Sequence, residues 1–235
     1  MTTDLTSPES LLPGQQLLML MNTALGSYGS LLDERFKCFF FSLHLHNRRL
    51  TEEERKRFDE YTHSKRGHRI IGEFVDKMLR TSSPTALTAF ALLYSDSQDN
   101  HRYTEVFQFQ ALNALDGIAE VDLSVLIELK SVLRAKANFT PTRRLQYPVV
   151  FLTQSSLETD ESYSTLRCLL PDLASAATTI NDLIRRGLLL PDPALNRLEG
   201  DDEWMIPFGM NEVTDRLHDL VHEARSIVNK SGRGS

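Results

Sequence analysis

Residues 180–193 read INDLIRRGLLLPDP, and this stretch decides how the last third of the chain folds. Apolar residues repeat at helical spacing up to Ile184, and the two arginines that follow suit the negative end of a helix dipole. Gly187 suits the position just past a helix end, where a left-handed backbone is common. Residues 188–190 then predict a short apolar strand. The stretch therefore predicts a helix that turns directly into a strand.

A second stretch, WMIPFGMNEVTDRLHDLV at residues 204–221, predicts the partner of that strand and a closing helix. Residues 204–206 form a short apolar run, separated from the first strand by a polar tip at residues 191–203. Asn211 is a suitable N-cap for a last helix with apolar residues at helical spacing. Upstream, Asp172 follows a proline and opens the helix that ends near Gly187.

Helix, strand, polar tip, strand and helix follow one another in the order of a winged helix, and residues 157–228 resemble this family. The preceding segment RGHRIIGEFVDKMLRTSSPTALTAFALLYSD, residues 66–96, resembles a helical module found ahead of winged helices in uncharacterised bacterial proteins. The resemblance implies a bacterial or phage-related source and a C-terminal winged-helix-like domain with a short β-hairpin. It implies no particular activity.

The rest of the sequence predicts an N-terminal helical bundle, so the predicted fold class is mainly α. We predict a flexible N-terminus at residues 1–14, a helical bundle domain at 15–136, a linker at 137–156 and a flexible tail at 229–235. Within the linker, residues 147–152 are apolar and β-branched and could form a strand.

One predicted helix, residues 30–46, is apolar nearly all round. Such a helix is normally buried in a core or in a subunit interface. We favour a central core helix, with an oligomer interface as the second interpretation. The candidate interface residues are Phe36, Phe39, Phe40 and Phe41.

Several local signals set the ends of the other helices in the bundle. Ser83 is a suitable N-cap, and Pro84 fits the first helical position, where its missing N–H costs nothing. Residues 96–100 predict a polar loop, Gly117 predicts a helix end, and Asp122 predicts an N-cap.

Composition places the chain among ordinary globular proteins: 235 residues, 41% apolar and 25% charged, with a formal net charge of −6. Two cysteines without metal spacing, Cys38 and Cys168, indicate buried thiols in a reducing compartment. The sequence shows no signal peptide and no apolar run of about 20 residues that could cross a bilayer. We therefore predict a cytoplasmic protein without a membrane partner.

Charge bears on whether the winged helix binds DNA. Residues 145–235 hold eight Lys and Arg against fourteen Asp and Glu, whereas residues 1–144 hold eighteen of each. Four carboxylates lie in the predicted wing tip, which reads EGDDE at residues 199–203. DNA affinity rests heavily on neutralising phosphates, so this balance disfavours DNA. The candidate partner- or DNA-binding residues of the recognition helix are Ser175, Thr178, Thr179, Arg185 and Arg186.

A basic run between the two parts offers a second surface for a phosphate or an acidic partner, although such a run is usually solvated. It comprises Lys130, Arg134, Lys136, Arg143 and Arg144.

No motif predicts a catalytic residue or a cofactor. His218 and His222 lie one helical turn apart, a spacing that can hold zinc, but Asp219 replaces the glutamate of the metalloprotease motif and no third ligand is indicated. An exposed helix face with two histidines is the simpler interpretation.

The leading hypothesis is a non-catalytic regulatory protein whose acidic winged helix contacts an unidentified protein. The alternatives are a winged-helix DNA-binding regulator and, third, a metal-dependent enzyme around His218 and His222.

Overall fold

The computed structural model describes residues 63–99, 103–135, 149–170, 172–191 and 205–231, together with residues 35, 38–39, 42, 51–53, 56–57 and 60. Most of the predicted helix at 30–46, most of the predicted wing tip and the predicted flexible N-terminus at 1–14 lie outside these residues. Of the predicted flexible tail at 229–235, residues 229–231 are described, and they are helical. Contacts divide the chain into two compact units. The first comprises residues 1–112 with 224–235, and the second comprises Asn113–Glu223.

Eight helices and three strands have both ends within the described residues, accompanied by a 3-10 turn at Glu161–Tyr163. The helices are α1 Lys65–Arg80, α2 Pro84–Asp99, α3 Glu105–Leu115, α4 Glu120–Ala135, α5 Gln154–Thr159, α6 Ser164–Leu169, α7 Leu173–Arg185 and α8 Glu212–Ser231. The strands are β1 Val149–Thr153, β2 Leu190–Pro191 and β3 Met205–Gly209.

In the first unit, α1 and α2 pack through an aromatic cluster. The Phe74 ring of α1 lies edge-on to Phe90 and Tyr94 of α2, with ring centroids 6.2 and 5.5 Å apart. Phe39, which precedes α1 in the sequence, packs against Tyr94 with ring centroids 6.3 Å apart. All four rings are buried, as is the whole of α2 from its third residue to Tyr94. This cluster is the core of the first unit.

The predicted N-terminal end of α2 is confirmed, but its predicted C-terminal end is wrong. The Ser83 hydroxyl accepts a hydrogen bond from the Ala86 amide at 3.1 Å, which confirms the predicted cap. The predicted loop at residues 96–100 is wrong, because α2 continues to Asp99. The Asp96 carboxylate accepts a hydrogen bond from the Tyr103 amide at 2.8 Å, so the polar residues there connect the helix to the next segment instead of ending it.

In the second unit, α4 packs against α6 and α7. It begins at Glu120, three residues before the start that an N-cap at Asp122 predicts. Asp122 therefore lies in the first turn, where its carboxylate accepts a hydrogen bond from the Ala119 backbone. A carboxylate at this third position serves the same purpose as an N-cap, which satisfies an amide that has no partner within the helix.

The three strands form one antiparallel sheet in the order β1-β3-β2, so β3 is the central strand. Val149 lies opposite Gly209 and Thr153 opposite Met205, while Leu190 on the other side also lies opposite Gly209. β2 begins two residues later than predicted. β1 confirms the strand proposed from its β-branched residues, although it falls inside the segment predicted to be a linker.

The glycine turns after α3 and α7 and the cap of α8 match their sequence signals. Gly187 follows α7 with φ +74°, and Gly117 follows α3 with φ +64°. Asn211 caps α8, since its side chain accepts a hydrogen bond from the Thr214 amide at 2.9 Å. The Asn211 amide in turn donates to the Thr214 hydroxyl at 2.7 Å. This reciprocal pair is a capping box.

The prediction of a mainly helical chain is confirmed, since 79% of the described residues are helical and the sheet is small. The predicted domain boundaries stay a prediction. Of the two thiols predicted to be buried, Cys38 is half-buried and Cys168 is exposed. Among the described residues, no helix has the length and apolar character that a bilayer span requires.

Candidate functional site

The exposed face of α7 holds the residues that the sequence singled out for partner or DNA contact. Thr178 is exposed, whereas Ser175 and Thr179 are half-buried. The Ser175 amide donates to the Asp172 carboxylate at 2.6 Å, so Asp172, predicted to open this helix, is the N-cap of α7. Asn181 is also exposed and lies close to Thr178 on the helix surface, because residues three apart share a face.

Asp182 binds both arginines at the end of α7. Its Oδ1 accepts hydrogen bonds from Arg185 Nη2 at 2.5 Å and Nε at 3.1 Å. Its Oδ2 accepts one from Arg186 Nε at 2.6 Å. These bonds, that from Arg186 first, outweigh partial burial and lower the pKa of Asp182 below its usual value of 3.8. Asp182 is therefore ionised at neutral pH.

Arg186 is tied to the end of α3 as well as to Asp182. Its Nη1 donates to the Asp116 carbonyl at 2.7 Å and lies 3.5 Å from the Ala114 carbonyl. Carbonyls at the end of a helix lack hydrogen-bond donors within the helix, so the Arg186 guanidinium supplies the missing donor. The side chain is 20% exposed, against 78% for Arg185. Of the two predicted contact arginines, Arg185 alone extends toward solvent.

A second polar cluster joins α4 to α8. The Lys130 ammonium lies 2.8 Å from an Asp215 carboxylate oxygen and 2.7 Å from one of Asp219. The lysine side chain is 5% exposed, whereas both aspartates are about half-exposed. Lys130 therefore contributes nothing to a basic surface, contrary to the expectation from the sequence. Arg134, its neighbour in that run, is exposed, and the remaining members lie outside the described residues.

His218 lies beside this ion pair and is buried, with 4% of its surface exposed. Its Nδ1 is 3.4 Å from Asp219 Oδ1, and its Nε2 has no hydrogen-bond partner among the described residues. Burial, and then the positive charge of Lys130, lower the pKa of His218 to about 4. The imidazole is therefore neutral at physiological pH, so one of the two histidines expected to be exposed is a buried core residue.

His222 stacks on His218, with ring centroids 6.0 Å apart, and is exposed. Within the part of the chain that the structure describes, no group of three or more His, Cys, Asp or Glu side chains is placed to hold a metal ion. The two rings lie nearly parallel, at 21°, which is a stacking arrangement.

Phe39 is the one candidate oligomer residue among those described, and its ring packs inside the chain against Tyr94. Phe36, Phe40 and Phe41 lie outside the described residues.

Comparison with protein-family models, with curated proteins and with solved structures gives no match for this chain.

The residue spacing in the sequence indicates the cluster around Asp182, but no sequence pattern indicates the cluster around Lys130. Asp182 precedes the two arginines by three and four residues, a spacing at which helical side chains meet. Lys130 and Asp219 are 89 positions apart, and no local rule connects them.

Proposed function

We propose that this chain is a non-catalytic bacterial cytoplasmic protein that contacts a partner protein through a C-terminal winged helix. The strand order β1-β3-β2 supports the fold assignment. β2 and β3 correspond to the two strands of the wing, and β1 adds to β3 as a third strand. In this proposal α4 and β1 belong to the winged helix, and α7 is its recognition helix.

The observation that carries the proposed function is the neutral exposed face of α7. A recognition helix that reads DNA places polar groups on base edges while nearby Lys and Arg neutralise phosphates. On α7, Asp182 pairs with both arginines, and Arg186 also binds backbone carbonyls. The face offers hydroxyl, amide and ion-pair groups suited to hydrogen bonding, without the unpaired positive charge that phosphates require.

A photo-reactive amino acid at Thr178 tests the protein contact. We expect it to give a discrete covalent adduct with one protein in the native host. The matched control is the same amino acid at Ser131, an exposed position on α4. Equal labelling from the two positions would count against α7 as the contact helix.

DNA binding is the competing function, and fluorescence anisotropy with a labelled duplex at about 50 mM salt separates the two. We expect only weak binding by the wild-type protein, with a shallow slope of log K against log salt. Steep salt dependence that disappears in Arg185→Ala would favour the DNA-binding regulator. Arg185 is the residue to change, because Arg186→Ala would also remove bonds that hold α7 to the end of α3.

A further inference from the structure

The arrangement around Asp182 suggests why α7 lacks positive charge. Its exposed face contains one basic side chain, Arg185, at the C-terminal end. A single carboxylate with both oxygens engaged binds that guanidinium and the next one. The face therefore has the shape and hydrogen-bonding groups of a recognition helix, with its cation neutralised from within the same helix.

We propose that Asp182 is a selectivity residue that keeps nucleic acid off the exposed face of α7. This inference rests on the proposed function only in taking α7 as the contact helix. Asp182 acts through Arg185: while the ion pair persists, the positive charge of Arg185 is balanced by a carboxylate that is three-quarters buried, so a phosphate gains little from contacting it. The same carboxylate also adds a negative charge that repels phosphates.

The partial burial of Asp182 distinguishes this pair from an ordinary surface ion pair. Asp182 is 25% exposed, whereas Asp76, which forms an i,i+4 ion pair with Arg80 on α1, is 63% exposed. An exposed pair exchanges readily with water and salt, so it restrains its arginine little. A carboxylate held by two guanidiniums and removed from most of the solvent is screened less.

Asp182→Asn is the decisive variant, because it removes the charge and keeps the size of the side chain. One freed phosphate contact raises DNA affinity about tenfold at about 50 mM salt and steepens the slope of log K against log salt by about 0.9. We expect Asp182→Asn to show this gain in affinity and this steeper slope in fluorescence anisotropy with a labelled duplex. The double variant Asp182→Asn/Arg185→Gln should return to the wild-type curve.

Asp76→Asn is the matched control, since it changes the net charge equally and removes the carboxylate of an exposed i,i+4 ion pair elsewhere. It should leave both affinity and slope unchanged. An equal gain from Asp76→Asn and Asp182→Asn would reduce the effect to net charge and overturn the proposal. So would a wild-type protein that already binds the duplex through Arg185.

A second variant covers the case in which Asp182→Asn does not fold, as judged by circular dichroism. Asn181→Arg adds a guanidinium to the same exposed face and leaves the bonds of Asp182 in place. We expect it to bind the duplex tighter than wild type, since both Asp182 oxygens are already engaged. No gain would show that something other than missing charge excludes DNA, which overturns the proposal. The adduct at Thr178 is a separate measurement, so failure here leaves the proposed protein contact to its own test.

Discussion

His218 and Lys130 show how burial changes what a polar residue does. Both were expected on the surface because isolated polar residues in helices usually are. Instead, the Lys130 ammonium is buried between two half-exposed carboxylates, and a neutral imidazole lies beside it. Burial opposes ionisation of Asp219, but the hydrogen bonds from Lys130 and His218 prevail and hold the pKa of its carboxyl below 3.8.

Acidification is expected to destabilise the protein through His218. Its pKa is about 4 in the folded protein and near 6.5 when unfolded, so between these values the unfolded chain binds the extra proton. The free energy of unfolding is therefore unaffected above pH 6.5 and falls as the pH drops from 6.5 to 4, by about 2 kcal/mol at pH 5. Asp219 acts in the same direction at lower pH.

Urea unfolding at pH 7.5 and pH 5 measures this loss. His218→Gln should lose about 2 kcal/mol less than wild type between the two pH values. His222→Gln, which changes an exposed ring on the same helix, should lose as much as wild type. An unchanged loss in His218→Gln would contradict the assignment.

Removing the two sides of the Lys130 ion pair should have unequal effects. Lys130→Met leaves two half-exposed aspartates that water can solvate, and we expect a loss of about 1 kcal/mol. Asp215→Asn/Asp219→Asn leaves a buried ammonium without a counter-charge, and we expect a loss of about 3 kcal/mol. Chemical denaturation of the two variants gives the comparison. Equal losses would mean that Lys130 reaches water once the aspartates are neutral.

The elements of this fold are bounded mostly by local chemistry. The predicted caps at Ser83 and Asn211 are confirmed, and Asp172 opens α7 as predicted, because a cap is a bond between a side chain and an amide two or three residues away. The predicted cap at Asp122 is wrong, since α4 begins earlier. The wrong helix boundaries occur where the local residues allow a helix either to continue or to end. At residues 96–99 the polar side chains allow either, and α2 continues.

Replacing Gly72 of α1 and Gly187 after α7 with alanine should change the stability of the protein in opposite directions. Gly187 has φ +74°, a conformation that a side chain disfavours although nothing lies near the added methyl group. We expect Gly187→Ala to cost about 1 kcal/mol. Gly72 lies inside α1, also with open space around it, and Gly72→Ala should stabilise by about 0.5–1 kcal/mol. Thermal unfolding by circular dichroism measures both, and a stabilising Gly187→Ala would contradict the left-handed turn.

The organisation of the chain depends on pairings that no single segment specifies. The second compact unit begins at Asn113 and includes α4 and β1, which the sequence assigned to the bundle and to the linker. β1 pairs along its whole length with β3, more than fifty residues later. A strand of five residues has no stable structure until such a partner is present.

This pairing predicts which fragment folds. We expect residues 113–231 to unfold cooperatively in urea, because they retain α4, all three strands and α8. Residues 157–228, the boundaries predicted from the sequence, should lack a cooperative transition, since they leave one edge of β3 unpaired and expose the buried side chains that α4 covers. Circular dichroism and urea titration of both fragments provide the measurement. A cooperative transition in 157–228 would show that α4 and β1 are dispensable.

The sequence by itself determined the helical class, the caps at Ser83 and Asn211, the turn at Gly187 and the succession of β2, β3 and α8. Each of these depends on interactions within a few residues, where periodicity and capping rules apply. Tertiary structure alone decided that β1 joins the sheet, that Lys130 and His218 are buried, and that Arg186 binds the end of α3 while Arg185 remains exposed. These outcomes depend on contacts between residues tens of positions apart, because burial and pairing are properties of the packed chain.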